Sequence, residues 1–137
     1  MASMEGGERS ELGEAAYEAY VNRDESAVGG LFGENIVWHA LESGGKFKDY
    51  TGVETVLRYL NQAARAAAIE GTFEVEVGEI IKHGNYGVAL HTATSTGKAG
   101  TLVDREVLVG RSEDGKIVEV WQFLEDPTAT REMYGGA

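Results

Sequence analysis

From Thr72 to Leu124 the chain reads as strand after strand: Thr72–Ile81, Gly87–Thr96, Thr101–Gly110 and Lys116–Leu124 are rich in Val, Thr, Ile and aromatic residues, with glycine-bearing turns between them. Runs of that length broken by tight turns predict an antiparallel meander, and Asp114-Gly115 is its clearest hairpin turn. Period-two alternation gives each strand two faces. Phe73, Val75 and Val77 alternate with Glu74 and Glu76; Val118, Val120, Gln122 and Leu124 alternate with Glu119, Trp121 and Phe123. One face covers a core, so the chain before residue 72 has to supply a lid.

That lid is helical. Ser10 caps a helix running to about Arg23, in which Leu12, Ala15, Ala16, Ala19, Tyr20 and Val21 share one arc and Glu11, Glu14, Glu18 and Asn22 the other. Asp24 or Ser26 opens a second, short helix that buries Ala27, Val28, Leu31 and Phe32, with Gly33 marking its end. Asn35–Leu41 is apolar and β-branched enough for a strand, and 42–50 reads as a loop. Thr51-Gly52-Val53-Glu54 has the form of a capping box ahead of the longest helix, whose stripe is Val53, Val56, Leu57, Leu60, Ala64, Ala67 and Ala68, and Gly71 stops it. After Asp126-Pro127 a short tail is expected to form one helical turn. The order helix, helix, strand, helix, four strands specifies an α+β fold: a curved, mostly antiparallel sheet wrapped around three N-terminal helices. Such a cone has an apolar interior of the kind in which small ligands bind.

Its 137 residues suit one domain, placed at 10–134 behind a flexible leader over 1–9. A net charge of −11 repels phosphate backbones and anionic headgroups, which argues against nucleic acid and membrane surfaces as partners, and no apolar run is long enough to span a bilayer. The absence of cysteine excludes disulfides and thiolate chemistry and fits a cytoplasmic protein. Three histidines without H-x-x-x-H spacing or a close carboxylate cluster predict no metal site, and without a glycine-rich nucleotide motif no cofactor is expected.

Four stretches carry a family resemblance: NIVWHAL at 35–41, YTGVETVLRYL at 50–60, GTFEVEV at 71–77, and DREVLV at 104–109 followed by EDGKIVEVWQF at 113–123 with Asp126 nearby. Over about Leu12 to Met133 the chain resembles the superfamily of nuclear transport factor 2, ketosteroid isomerase and the SnoaL-like polyketide cyclases, most of all the SnoaL-like branch. The resemblance implies a cone-shaped, cystatin-like α+β barrel and a homodimer joined through the sheet. It spans isomerases, cyclases, dehydratases, epoxide hydrolases and binding proteins, so it implies a fold more sharply than a reaction. Residue by residue, the isomerase's oxyanion tyrosine corresponds to Tyr17, its general base falls near His39 or Ala40, and its second oxyanion donor falls near Val107. The cyclase base corresponds to Gln122, an amide that takes no proton at neutral pH. The Arg-x-Asp of the epoxide hydrolases is met by Arg105 but by Val107 two residues on. Every known mechanism of the superfamily therefore lacks a part here.

Among the residues themselves, His39 is the candidate base, since a neutral imidazole takes protons near neutral pH; the competing role is a core histidine bonded to a neighbour. Asp104-Arg105-Glu106 sets three charges in an apolar strand, so at least one faces an apolar side. If Val103, Val107 and Val109 face the cone, Arg105 goes with them and can hold a carboxylate or enolate. With the opposite parity Glu106 enters and can pair with His39 or His91. Trp38, Phe73, His91, Glu106, Val107 and Gln122 are the candidate substrate-binding residues, with His39, Tyr17 and Arg105 the catalytic ones. The expected activity is cofactor-free acid–base chemistry (isomerisation, cyclisation or dehydration) on a small, largely apolar carbonyl compound; the alternative is a non-catalytic ligand-binding or dimerisation module.

Overall fold

The computed structural model describes residues 8–42, 44–70, 72–97, 100–126 and 128, and the helical turn expected in the tail lies outside them. In chain order the elements are β1 (Glu8–Arg9), α1 (Glu11–Val21), α2 (Glu25–Leu31), β2 (Phe32–Leu41), β3 (Phe47–Thr51), α3 (Val53–Glu70), β4 (Thr72–His83), β5 (Tyr86–Gly97), β6 (Gly100–Glu113) and β7 (Lys116–Leu124). The strands form one open, curved sheet in the order β1-β4-β5-β6-β7-β2-β3. Every pairing is antiparallel except β2 with β7. The expected α+β class holds, with three helices and the four-strand meander in place.

Local chemistry explains the boundaries. Ser10 Oγ accepts the Gly13 N–H at 3.0 Å, and Asp24 Oδ1 accepts the Ala27 N–H at 3.1 Å, so Asp24 opens α2. Asp114 and Gly115 adopt φ of 50° and 77°, the left-handed pair that a two-residue hairpin needs to match strand twist. Three expectations change. α2 ends at Leu31, and Gly33 lies inside a ten-residue β2. The stretch read as a loop contains β3, a charged edge strand on which Phe47 to Thr51 pair with Leu41 to Val37. Glu8 and Arg9, read as the end of a leader, pair with Lys82 and Ile81.

The core sits where α1, α2 and α3 meet β2 and β7. Ile36 and Val56 are fully buried there, surrounded by Ala19, Val28, Phe32, Trp38, Ala40 and Val120. Beyond this cluster the helices do not fill the concave side of β4 to β7, and the space left is the site. Among the described residues no helix is long and apolar enough to cross a membrane.

Candidate functional site

The unfilled space is a cavity of about 1280 Å³, larger than the ~300–1,000 Å³ typical of small-molecule sites. Because side chains alternate along a strand, each strand contributes every second residue to its wall: Ala89, His91, Ala93 and Ser95 from β5, Asp104, Glu106 and Leu108 from β6, Val120 and Gln122 from β7. Tyr17 and Tyr20 of α1 and Tyr59 of α3 close it from above. Exposed Glu11, Lys82 and Asn85 edge the cavity at one end of the strands, and exposed Glu42, Lys48 and Gln62 at the other.

One hydrogen-bonded chain crosses this mostly apolar wall. Trp38 Nε1 and the Tyr59 hydroxyl both donate to Gln122 Oε1, at 2.8 and 2.6 Å. That fixes the amide, so Gln122 Nε2 donates to Glu106 Oε1 at 2.6 Å. His91 Nε2 lies 3.2 Å from the same carboxylate oxygen, and the Tyr17 hydroxyl lies 2.7 Å from His91 Nδ1. β5 and β6 set this up directly, because His91 is the ladder partner of Glu106 and paired residues share a face. His91 and Glu106 are nearly buried, with side chains 8% and 9% exposed.

Burial alone would push the Glu106 carboxyl up, but the His91 ring and the Gln122 amide beside it outweigh that and hold the group below the usual carboxylate range. Glu106 is therefore an anion that can accept Nε2–H, and in the tautomer that carries its proton on Nε2 the His91 ring offers Nδ1 to the Tyr17 hydroxyl. Burial, then the Glu106 charge, push the Tyr17 phenol upward, and the same two causes act on Tyr59. Both phenols stay protonated as donors at neutral pH. A carbonyl oxygen that took the Tyr17 hydrogen bond would free Nδ1, setting a donor and a base side by side.

Several sequence candidates stand elsewhere. His39 is on the outer face, 17% exposed, with Nδ1 2.6 Å from Asp49 Oδ1 and Nε2 2.6 Å from Glu119 Oε2, its ring stacked on Trp121 at 5.4 Å. It does not line the cavity: β2 runs beside β7 with His39 level with Trp121, so both point outward while Trp38 points in. Arg105 also points out, 71% exposed and ion-paired with Glu125 at 2.6 Å, and Val107 shares its face opposite Phe123. The parity that brings Glu106 inward is the one observed, with His91 as its partner. Tyr17, Trp38, His91, Glu106 and Gln122 come together as lining residues. Phe73 pairs with Ser95 through its backbone, and its side chain lies outside the described residues.

Tyr59 and Asp104 were missed as lining residues. Tyr59 follows the stripe residue Val56 by three, which puts it at the edge of the buried arc, and Asp104 precedes Glu106 by two, which puts both on one strand face.

Solved structures with the same architecture are numerous. Bal32a from a soil-derived mobile gene cassette superposes with a TM-score of 0.80 at 20% identity, over 90% of this chain and 94% of that one. An NTF2-like protein of unknown function from Burkholderia pseudomallei gives 0.72 at 20% identity, covering 90% and 95%. TerC, co-crystallised with polyporic acid, gives 0.71 at 21% identity, also covering 90% and 95%. At such identities these likenesses speak for the fold alone. No curated protein matches the chain in sequence. The model of the SnoaL-like domain matches residues 14–120, most of the chain and nearly all of the cavity wall, and the protein belongs to that family.

Proposed function

We propose that the cavity binds a small, largely apolar carbonyl compound and moves a proton at the carbon next to the carbonyl, without a cofactor. The observation that carries this reading is the Tyr17–His91–Glu106 relay on the wall of a mostly apolar cavity. The substrate oxygen takes the Tyr17 hydrogen bond, and His91 Nδ1, thereby released, takes the α-proton. The C–H electron pair moves toward the oxygen, where Tyr17 steadies the enolate, and the imidazolium lies against the Glu106 carboxylate. Return of the proton to another carbon is isomerisation; attack of the enolate on a second carbonyl is cyclisation. TerC, which shares the fold, was crystallised with an organic acid, and this supports a cavity for organic ligands.

The test is deuterium uptake by benzylacetone, a simple ketone, from deuterium oxide. His91→Ala and Glu106→Gln are expected to lower it by about 10²–10⁴-fold, the usual worth of a positioned base. Exchange at the wild-type rate in His91→Ala would sink the reading.

A non-catalytic binding module is the second reading, favoured by one observation: both nitrogens of His91 are already engaged. It expects benzylacetone to bind without exchanging. We further propose a cytoplasmic homodimer joined through the outer face of the sheet. Phe47, Val88, Leu90, Val103 and Phe123 stand exposed on that face, an apolar surface of the kind that marks an interface.

A further inference from the structure

We propose that Gln122 is the positioning residue of the proton relay: its amide, turned one way by two donors, holds Glu106 as the anion against which His91 works, and so sets how far down the pH scale the site can take a proton. The proposal rests on the His91 reading above and adds a residue to it. Gln122 stands on β7 level with Leu108, one inward step from Glu106, and is 8% exposed. Trp38 Nε1 from β2 and the Tyr59 hydroxyl from α3 reach its Oε1 at 2.8 and 2.6 Å, and its Nε2 reaches Glu106 Oε1 at 2.6 Å. An indole N–H can only donate. Turning the amide over would therefore set its NH₂ against the Trp38 N–H and its oxygen against the Glu106 carboxylate, two buried mismatches of like groups. The amide has one orientation, and in it the carboxylate receives an N–H.

That bond supplies what His91 cannot. His91 Nε2 lies 3.2 Å from the same carboxylate oxygen, farther than the amide, and its ring is the group whose protonation changes in the reaction. Gln122 gains and loses no proton near neutral pH, so its bond to Glu106 is the same before and after His91 takes the substrate's proton. The titratable groups that face Glu106 among the described residues are His91 from β5, Asp104 two residues along its own strand, Tyr17 from α1 and Tyr59 from α3. Burial disfavours an anion in this place, and the amide is a fixed donor that offsets it. Without that donor the His91–Glu106 pair binds its extra proton more tightly, and a pair that already holds the proton is no base. Loss of the amide therefore moves the acid limb of the reaction to higher pH.

Two measurements test this. The chain has two glutamines, exposed Gln62 and buried Gln122, so nitrogen-15 glutamine labelling of the wild type gives two side-chain amide signals. In NMR one of them is expected to carry a downfield proton that stays protected from exchange with water from about pH 9 to about pH 5, across the ordinary range of a histidine. Two amides that exchange alike, or protection lost as pH falls through that range, overturn the proposal, and this result needs no variant. The second measurement is benzylacetone exchange against pH in Gln122→Met, which keeps the size and removes the donor. Its acid-limb midpoint is expected about one to two pH units above that of the wild type, the worth of a hydrogen bond to a charged group, so exchange falls about 10–100-fold below the midpoint and recovers at high pH. A role in packing alone would slow exchange equally at every pH. That outcome, or an unshifted midpoint, overturns the proposal and leaves the His91 reading intact; a variant that does not fold leaves the decision to the labelled wild type. A wild type that exchanges no benzylacetone overturns both.

Discussion

His39 shows how strongly a single side chain is defined by its neighbours. On a strand of this sequence it is the obvious base, yet both ring nitrogens are held by carboxylates, one from β3 and one from β7. Burial works against its charge, but the bonds to Glu119 and Asp49 more than offset it, so the folded protein holds its pKa above the ordinary value. Glu119 moves the other way: the His39 bond lowers it, burial opposes, and Arg111 adds to the lowering. The sign follows. His39 contributes its stability in full below about pH 6.5 and loses it as pH rises through the raised value, whereas Glu119 contributes above about pH 4.3 and loses it as pH falls through the lowered one. The clamp is therefore strongest between those two values. Thermal unfolding from about pH 6 to about pH 9 is expected to show a falling midpoint in the wild type and a flatter profile in His39→Gln. Equal slopes would mean that the clamp does not stabilise the fold.

Elements meet closely enough to make glycine positions tests of packing. α1 crosses β4 at Gly13, where an added Cβ would lie 2.8 Å from Ile80 Cγ2 and 3.0 Å from the capping Ser10 Oγ. In an isolated helix Gly13→Ala would gain about 1 kcal/mol from propensity. Here the methyl group meets the branched carbon of Ile80 and the cap bond itself, so a net loss of about 1–2 kcal/mol is expected in urea unfolding, in the range of overpacked cores. A gain would show that α1 can lift from the sheet without cost, which would also loosen the seat of Tyr17. β3 carries a different lesson. Its charged, mostly exposed residues give little strand signal, and its pairing with β2 creates the Asp49 side of the His39 clamp.

For the whole molecule, one curved sheet does two jobs with its two faces. The inner face holds a polar chain inside an apolar cavity; the outer face presents Leu90, Val103 and Phe123 at 61%, 54% and 38% exposure around the ion-paired His39. A homodimer through this face predicts that Leu90→Lys with Phe123→Lys yields a monomer in analytical ultracentrifugation with an unchanged far-ultraviolet spectrum. A wild type that sediments as a monomer at high concentration would remove the dimer from the proposal.

The meander, the three helices, the Ser10 cap, the Asp114-Gly115 turn and the α+β class were legible in the chain, with the second helix's cap narrowed to Asp24 or Ser26, because capping, turn chemistry and hydrophobic period act over a few residues. Alternation also told which residues share a face: Trp38 opposite His39, Glu106 opposite Arg105, Gln122 opposite Trp121. It could not tell which face is buried. That choice came from pairings far apart in sequence, β2 laid parallel to β7 so that His39 joins Trp121 outside, and β5 paired to β6 so that His91 meets Glu106 inside. A strand's period is two and local, so its residues sort themselves into two sets, but only the neighbouring strands and the helices above them decide which set loses its contact with water.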